Sequence, residues 1–154
     1  MYEVTLEESW DLFGDFLDGA HTAPVCALSR KALPERSRTA LGSSMEALGY
    51  GQDACTFVTL SPEGAADLDQ QALFLLVEGL DPLCLVAADA DATRALGEAY
   101  RCGLRADGAQ QLFGRPCVAF ESFDAMLDDA QDKQRAWALL KRLPRFGDRQ
   151  PSKR

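Results

Sequence analysis

The sequence has 154 residues, of which 47% are hydrophobic and 26% charged, and its net charge is −8. A chain of this length buries roughly two thirds of its unfolded surface without disulfides or metals, so wholesale disorder, collagen-like repeats and a disulfide scaffold are excluded. No stretch approaches the roughly 18 apolar residues of a spanning helix. Residues 1–18 are acidic, where a secretory signal is basic and then apolar. We therefore expect a cytoplasmic protein with no membrane contact.

The charge is distributed unevenly along the chain. Residues 133–154 hold eight basic residues and one acidic residue, whereas the other 132 residues hold 8 basic and 23 acidic ones. An acidic body repels a phosphate backbone, while a basic end attracts nucleic acid or an acidic protein surface. The candidate basic contacts are Lys141, Arg142, Arg145 and Arg149. The alternative is that residues 147–154 are only a disordered, solubilising end.

The amino-terminal segment predicts an amphipathic helix over residues 5–17. Thr5 lies three residues before Glu8, which is the spacing of a capping box. Apolar residues recur at helical intervals, at Leu6, Trp10, Phe13 and Leu17. We expect this helix to dock on the core, and an exposed Leu6, Trp10 and Phe13 face would instead favour a homodimer.

The rest of the chain alternates strands with helices. Short apolar runs predict strands at 24–29, 54–60, 83–88 and 117–120. Helices are predicted from Pro34 to about residue 49, and at 67–80, 89–101 and 131–143, with Asp89 as a cap. Residues 103–114 are predicted to be a polar connection. Because the strands are continuously apolar, as in a parallel sheet buried on both faces, the pattern predicts a three-layer α/β fold.

The sequence predicts a single domain. The chain has no internal repeat and no long linker, so residues 1–146 are predicted to form one domain, followed by the basic tail at 147–154.

The five cysteines are Cys26, Cys55, Cys84, Cys102 and Cys117. Their number is odd and they form no Cys-x-x-Cys pair, so we expect most of them to be buried apolar residues, with no metal and no cofactor.

Candidate site residues follow the predicted strands, because sites in open α/β sheets form beyond the carboxyl ends of the strands. They are Ser29, Arg30, Lys31, Asp89, Asp91 and Ser122. No glycine-rich phosphate loop is present. Arg30 and Lys31 could face a phosphate or simply solvent. Asp89 and Asp91 could hold magnesium, or Asp89 could cap the following helix while Asp91 is solvated.

The stretch from Phe120 to Leu140 resembles the end of the uracil-DNA glycosylase superfamily. In that family a strand leads into His-Pro-Ser, a pair of large apolar residues, and a helix with a lysine and, four residues later, a tryptophan. Met126-Leu127, Lys133 and Trp137 match the last three features. Residues 48–59 and 80–87 are similar to the family's second and third strands. The resemblance implies a four-stranded parallel sheet in the order 2-1-3-4.

The groups that carry out catalysis in that family are missing from this sequence. Residues 29–34 replace the loop that positions water, Leu60 replaces the asparagine that reads uracil, and Ser122 replaces the histidine that stabilises the departing base. Losing one electrostatic stabiliser typically costs about 10²- to 10³-fold in rate, so the resemblance implies an inactive glycosylase fold. The architecture is also similar to the psi subunit of bacterial DNA polymerase III, a protein connector without glycosylase residues.

We therefore expect a catalytically inactive binding or scaffold module of DNA replication or repair, with a protein partner or nucleic acid. The alternative is an enzyme that uses Arg30, Lys31, Asp89 and Asp91 on a phosphorylated or metal-bound small ligand. A deep polar pocket in which Asp89 and Asp91 converge on Arg30 would favour the enzyme. A shallow site plugged by Leu60 and Phe123 would favour the binding module.

Overall fold

The computed structural model describes residues 5–145. In this range the helices are α1 (Leu6–Phe13), α2 (Glu35–Ala47), α3 (Gln70–Leu80), α4 (Ala90–Tyr100), α5 (Phe123–Met126) and α6 (Ala130–Leu140). The strands are β1 (Leu17–Gly19), β2 (Val25–Ser29), β3 (Cys55–Thr59), β4 (Cys84–Ala87), β5 (Gly108–Leu112) and β6 (Arg115–Ala119). The predicted tail at 147–154, including Arg149, lies outside the described residues.

The described strands form one mixed sheet in the order β1-β3-β2-β4-β6-β5. The predicted α/β class is confirmed, but the prediction of a four-stranded, wholly parallel sheet is wrong. The strands β3, β2, β4 and β6 are parallel to one another, whereas β1 and β5 add to the two edges in antiparallel orientation. The order 2-1-3-4 therefore describes only the four central strands.

Both edge strands have weak sequence signals. β5 has the sequence Gly-Ala-Gln-Gln-Leu, without a β-branched or aromatic residue, inside the segment predicted to be a polar connection. It pairs with β6 across the turn at Phe113-Gly114. β1 is only three residues long, and a 3-10 helix at Gly14–Phe16 ends α1 before it. Pairing of Leu17 with Val58 thus replaces the predicted last turn of the first helix.

The helices cover both faces of the sheet, which gives three layers. Alternate residues of β2 point to opposite faces, so Cys26 and Leu28 lie in one apolar core and Val25 and Ala27 in the other. Helices α1, α3 and α4 pack on the first core, and α2, α5 and α6 on the second. Because helices cover both faces of the central strands, the residues that follow the carboxyl ends of these strands extend from a well-packed part of the sheet.

The amino-terminal helix begins with the predicted capping box. The Glu8 backbone N–H donates to Thr5 Oγ1 at 3.1 Å, and the Thr5 N–H donates to Glu8 Oε1 at 2.9 Å. Trp10 and Phe13 are half-buried against the first core, and the Trp10 indole N–H donates to the His21 carbonyl at 2.9 Å. The apolar face of α1 is therefore used within the chain, and the exposed face that would favour a homodimer is not observed in α1.

Four of the cysteines are buried on adjacent strands of the sheet. They are Cys26, Cys55, Cys84 and Cys117, whereas Cys102 is exposed. Burial raises the pKa of the Cys55 and Cys117 thiols to about 12, and that of Cys84 to about 11. The prediction that most cysteines are buried apolar residues is confirmed, and these thiols are inert at neutral pH.

Candidate functional site

The carboxyl ends of β2 and β4 bring together three of the predicted site residues. The Arg30 backbone N–H donates to Asp89 Oδ2 at 2.9 Å, and the Arg30 guanidinium lies 3.4 Å from Asp91 Oδ2. Arg94, one turn further along α4, holds the other oxygen of Asp91 at 2.5 Å. Sequence reasoning missed Arg94, although its spacing of three residues from Asp91 on a helix is a signal for such a pair.

The carboxylate of Asp91 is shared between two arginines on the surface. Hydrogen bonding from Arg94, and then from Arg30, holds the pKa of Asp91 below its ordinary value. The side chains of both arginines are more than half exposed, at 65% and 54%. Because exposed pairs of this kind are screened by solvent, the cluster orients the loop after β2 more than it stabilises the fold.

A cleft of about 320 Å³ lies beside this cluster. Its lining has two cationic side chains, Arg30 and Arg94, and three acidic ones, Asp67, Asp91 and Glu98. Leu60, 7% exposed, also lines this cleft. The lining is net acidic, which disfavours a phosphorylated ligand.

Asp89 acts as a helix cap. Its Oδ1 accepts the Ala92 N–H at 2.8 Å at the start of α4, while its Oδ2 accepts the Arg30 N–H. All four carboxylate oxygens of Asp89 and Asp91 therefore have protein donors. Within residues 5–145, no three histidine, cysteine, aspartate or glutamate side chains are grouped to hold a metal ion.

The other predicted site residues have structural partners or face solvent. The Ser29 hydroxyl donates to the Lys31 carbonyl at 2.6 Å, and the Lys31 side chain is exposed. Ser122 caps α5, because its Oγ accepts the Ala125 N–H at 3.2 Å. It is also bridged to Asp89 through the backbone. Ser122 thus joins the loop after β6 to the loop after β4, and Lys31 stays outside this cluster.

A second ionic cluster, at the ends of β2 and β6, was not predicted from the sequence. Arg36 donates to both carboxylate oxygens of Asp124, at 3.0 and 3.1 Å, and to Asp128 at 2.7 Å. The buried Ser37 hydroxyl donates to Asp124 Oδ1 at 2.6 Å. Hydrogen bonds from Arg36, and then from Ser37, lower the pKa of Asp124. These contacts fasten the start of α2 to α5.

The described part of the predicted basic segment lies at and after the end of α6. Residues 133–145 contain five basic residues and no acidic one. Lys141, Arg142 and Arg145 are exposed and lie just after the last residue of α6, and we call these three residues the basic surface. The Lys141 ammonium lies 5.8 Å from the centre of the half-buried Trp137 ring, within cation–π range.

The charges of the basic surface are not neutralised by any acidic residue of the described range. Arg145 donates to the Ala47 carbonyl at 3.5 Å, which is a neutral acceptor. By contrast, six arginines elsewhere in residues 5–145 are each paired with an aspartate or glutamate. They are Arg30, Arg36, Arg38, Arg94, Arg115 and Arg135.

Comparison of the chain with models of protein families and with curated proteins finds no match. Among the helices described for residues 5–145, none has the length and apolar character that crossing a membrane requires.

Proposed function

We propose that this chain is a non-enzymatic binding module that contacts nucleic acid through the basic surface, on a scaffold like that of the uracil-DNA glycosylases. The observation that carries the proposal is that Lys141, Arg142 and Arg145 form no ion pair with an acidic residue of the range 5–145. They stand beside one another in a chain whose other described arginine clusters are paired with acids. The process we propose is DNA replication or repair, on the basis of the sequence resemblance.

Three adjacent cations are suited to phosphates. Each phosphate contact releases condensed counterions, so the logarithm of the binding constant falls linearly with the logarithm of the salt concentration. The slope is about −0.9 per contact. Three contacts correspond to a roughly 40-fold weaker binding between 50 and 200 mM salt. The acidic remainder of the chain repels the phosphate backbone of the nucleic acid, and this repulsion would confine the contact to the basic surface.

The glycosylase-like part of the proposal is supported by the order of the central parallel strands and by what occupies the catalytic positions. The central order β3-β2-β4-β6 is the 2-1-3-4 order that the resemblance implies. Leu60, at the position of the base-reading asparagine, is 7% exposed. Ser122, at the position of the histidine, is a helix cap. An apolar side chain and a capping hydroxyl supply neither base recognition nor charge stabilisation.

The alternative, an enzyme with its site at the carboxyl ends of β2 and β4, has one observation in its favour and one against it. Arg30, Asp89 and Asp91 do converge at the ends of β2 and β4. However, each of these carboxylates already accepts bonds from protein donors, and the cleft beside them is net acidic. A phosphorylated ligand would have to displace these contacts, so we favour the binding module.

The test is equilibrium binding of labelled single- and double-stranded DNA, with and without uracil, together with an assay for released uracil. We expect salt-sensitive binding and no uracil release. Substitution of the basic surface by glutamine (K141Q, R142Q, R145Q) should abolish binding at moderate salt, while the control Arg105→Gln, an exposed cation elsewhere, should leave it unchanged. Uracil release, or binding that survives the triple substitution, would contradict the proposal.

A further inference from the structure

An aromatic groove of about 700 Å³ lies between α3 and α4, on the opposite face of the sheet from α6. Three rings meet there: Phe74 of α3, Tyr100 of α4, and Phe113 in the turn between β5 and β6. Their centres are 4.9 Å apart for Phe74 and Tyr100, 5.0 Å for Tyr100 and Phe113, and 6.2 Å for Phe74 and Phe113. We propose that this groove binds a basic segment of a protein partner that inserts an aromatic or large apolar side chain.

Phe113 is not where packing or turn chemistry would place a phenylalanine. Its side chain is 68% exposed, and its φ of 51° lies in the left-handed region, followed by Gly114 at 83°. A two-residue hairpin turn with two positive φ angles favours asparagine, aspartate or glycine. The ring contacts Tyr100 and Phe74 yet stays mostly exposed at a strained backbone position, and such outliers cluster at binding sites.

Two carboxylates at the end of α3 hold the groove in place, and one of them, Glu78, contacts both of its sides. Arg115, two residues after Phe113, donates to Glu78 at 2.7 Å and to Asp81 at 2.8 Å. The Tyr100 hydroxyl donates to the same Glu78 oxygen at 2.7 Å. The turn that carries Phe113 and the helix that carries Tyr100 are therefore fixed to the end of α3, and a partner need not order them on binding.

The charge of the rim identifies the kind of partner. Asp69 and Glu98 line the groove, together with one cation, Arg101, and the neutral side chains of Gln70 and Gln71. The chain outside residues 133–154 is strongly acidic. Electrostatic complementarity therefore favours a basic segment, and aromatic and arginine side chains are those that dominate binding at such centres.

This inference goes beyond the proposed function, because the groove and the basic surface are separate. Helices α3 and α4 pack on the first core, whereas α6 packs on the second. A protein bound in the groove would not cover Lys141, Arg142 or Arg145. The chain would then connect a basic protein on one face to nucleic acid on the other, and the loss of either contact would leave the second one intact.

The test is selection of displayed random twelve-residue peptides on the full chain, followed by measurement of the enriched peptides on the Phe113→Asn variant. Asparagine suits the left-handed turn, so this variant should keep the fold and its melting temperature. Fluorescence anisotropy then measures the enriched peptides. We expect them to carry a net positive charge and an aromatic residue, and to bind Phe113→Asn at least 10-fold more weakly. Leu12→Asn, which removes another exposed apolar side chain, and Phe113→Trp should bind them normally.

Three results of the peptide experiment would overturn the inference. They are a selection that enriches no peptide, enriched peptides that are acidic or lack an aromatic residue, and equal binding to wild type and Phe113→Asn. Self-association that Phe113→Asn abolishes, measured by sedimentation equilibrium without peptide, would likewise replace the partner by a second copy of the chain. Loss of DNA binding in the triple glutamine variant affects none of these outcomes.

Discussion

The Ser37 hydroxyl donates a 2.6 Å hydrogen bond to Oδ1 of Asp124. Ser37 is fully buried in the first turn of α2, and Asp124 lies in the first turn of α5. Arg36 holds the same carboxylate from the surface. The helices that follow β2 and β6 are thus joined to each other by one acidic side chain.

Asp124→Ala should lower the free energy of unfolding by about 1–3 kcal/mol, because it leaves the buried Ser37 hydroxyl without an acceptor. Asp128→Ala is the matched control. It removes only an exposed pair with Arg36, so its effect should stay below about 1 kcal/mol. Urea denaturation of the three proteins measures both values. Equal losses for the two variants would contradict the role given to the Ser37 bond.

The pH dependence of stability should report the same carboxylate. Arg36 and Ser37 lower the pKa of Asp124 in the folded chain, so its ionised form stabilises the fold above the ordinary pKa of 3.8. That contribution is lost as pH falls through the folded value. The stability difference between wild type and Asp124→Asn should therefore be constant from pH 7 to about 5 and shrink below about 4. A difference that grows with acid would contradict this assignment.

Thiol labelling should distinguish the one exposed cysteine from the four buried ones. In the native protein, Ellman's reagent should modify Cys102 rapidly and the remaining thiols only at the rate of unfolding. Five thiols should react in denaturant. The Cys102→Ser variant should lose the rapid phase completely. Rapid reaction of more than one thiol in the wild type would show that the central strands are open to solvent.

Two helical glycines should respond oppositely to alanine. A Cβ on Gly97 of α4 would lie 2.7 Å from the Cys102 carbonyl oxygen, so Gly97→Ala should destabilise the fold by about 1–3 kcal/mol. A Cβ on Gly42 of α2 meets nothing within 4 Å, so Gly42→Ala should stabilise it by about 0.5–1 kcal/mol. Thermal denaturation measures both. A stabilising Gly97→Ala would contradict the close packing of the loop after α4.

The central strands and most helix boundaries could be predicted because their signals are local. The apolar run at 24–29 contains β2 (Val25–Ser29), and the caps at Thr5 and Asp89 depend on hydrogen bonds that span three residues. The edge strand β5 (Gly108–Leu112) could not be predicted from its own residues. Its strand conformation comes from pairing with β6, which is a tertiary contact.

The candidate site was predicted in part from the topology of a parallel sheet. The ends of parallel strands converge, so Arg30, Asp89 and Asp91 could be placed together before the structure. Two contacts could not be predicted because they depend on loop geometry between residues far apart in the chain. The bond from the Arg30 N–H to Asp89 spans about 60 residues, and the pair of Arg36 with Asp124 spans about 90. The aromatic groove was missed because Phe113 reads as part of a polar connection.

The most direct test of the proposed function is the salt dependence of DNA binding by the full chain, by the triple glutamine variant at the basic surface, and by Arg105→Gln. The slope of log K against log salt should be near −3 for the full chain and for Arg105→Gln. It should approach zero for the triple variant, because each lost phosphate contact removes about one unit. An equal slope in all three proteins, or no binding to DNA at low salt, would contradict the account.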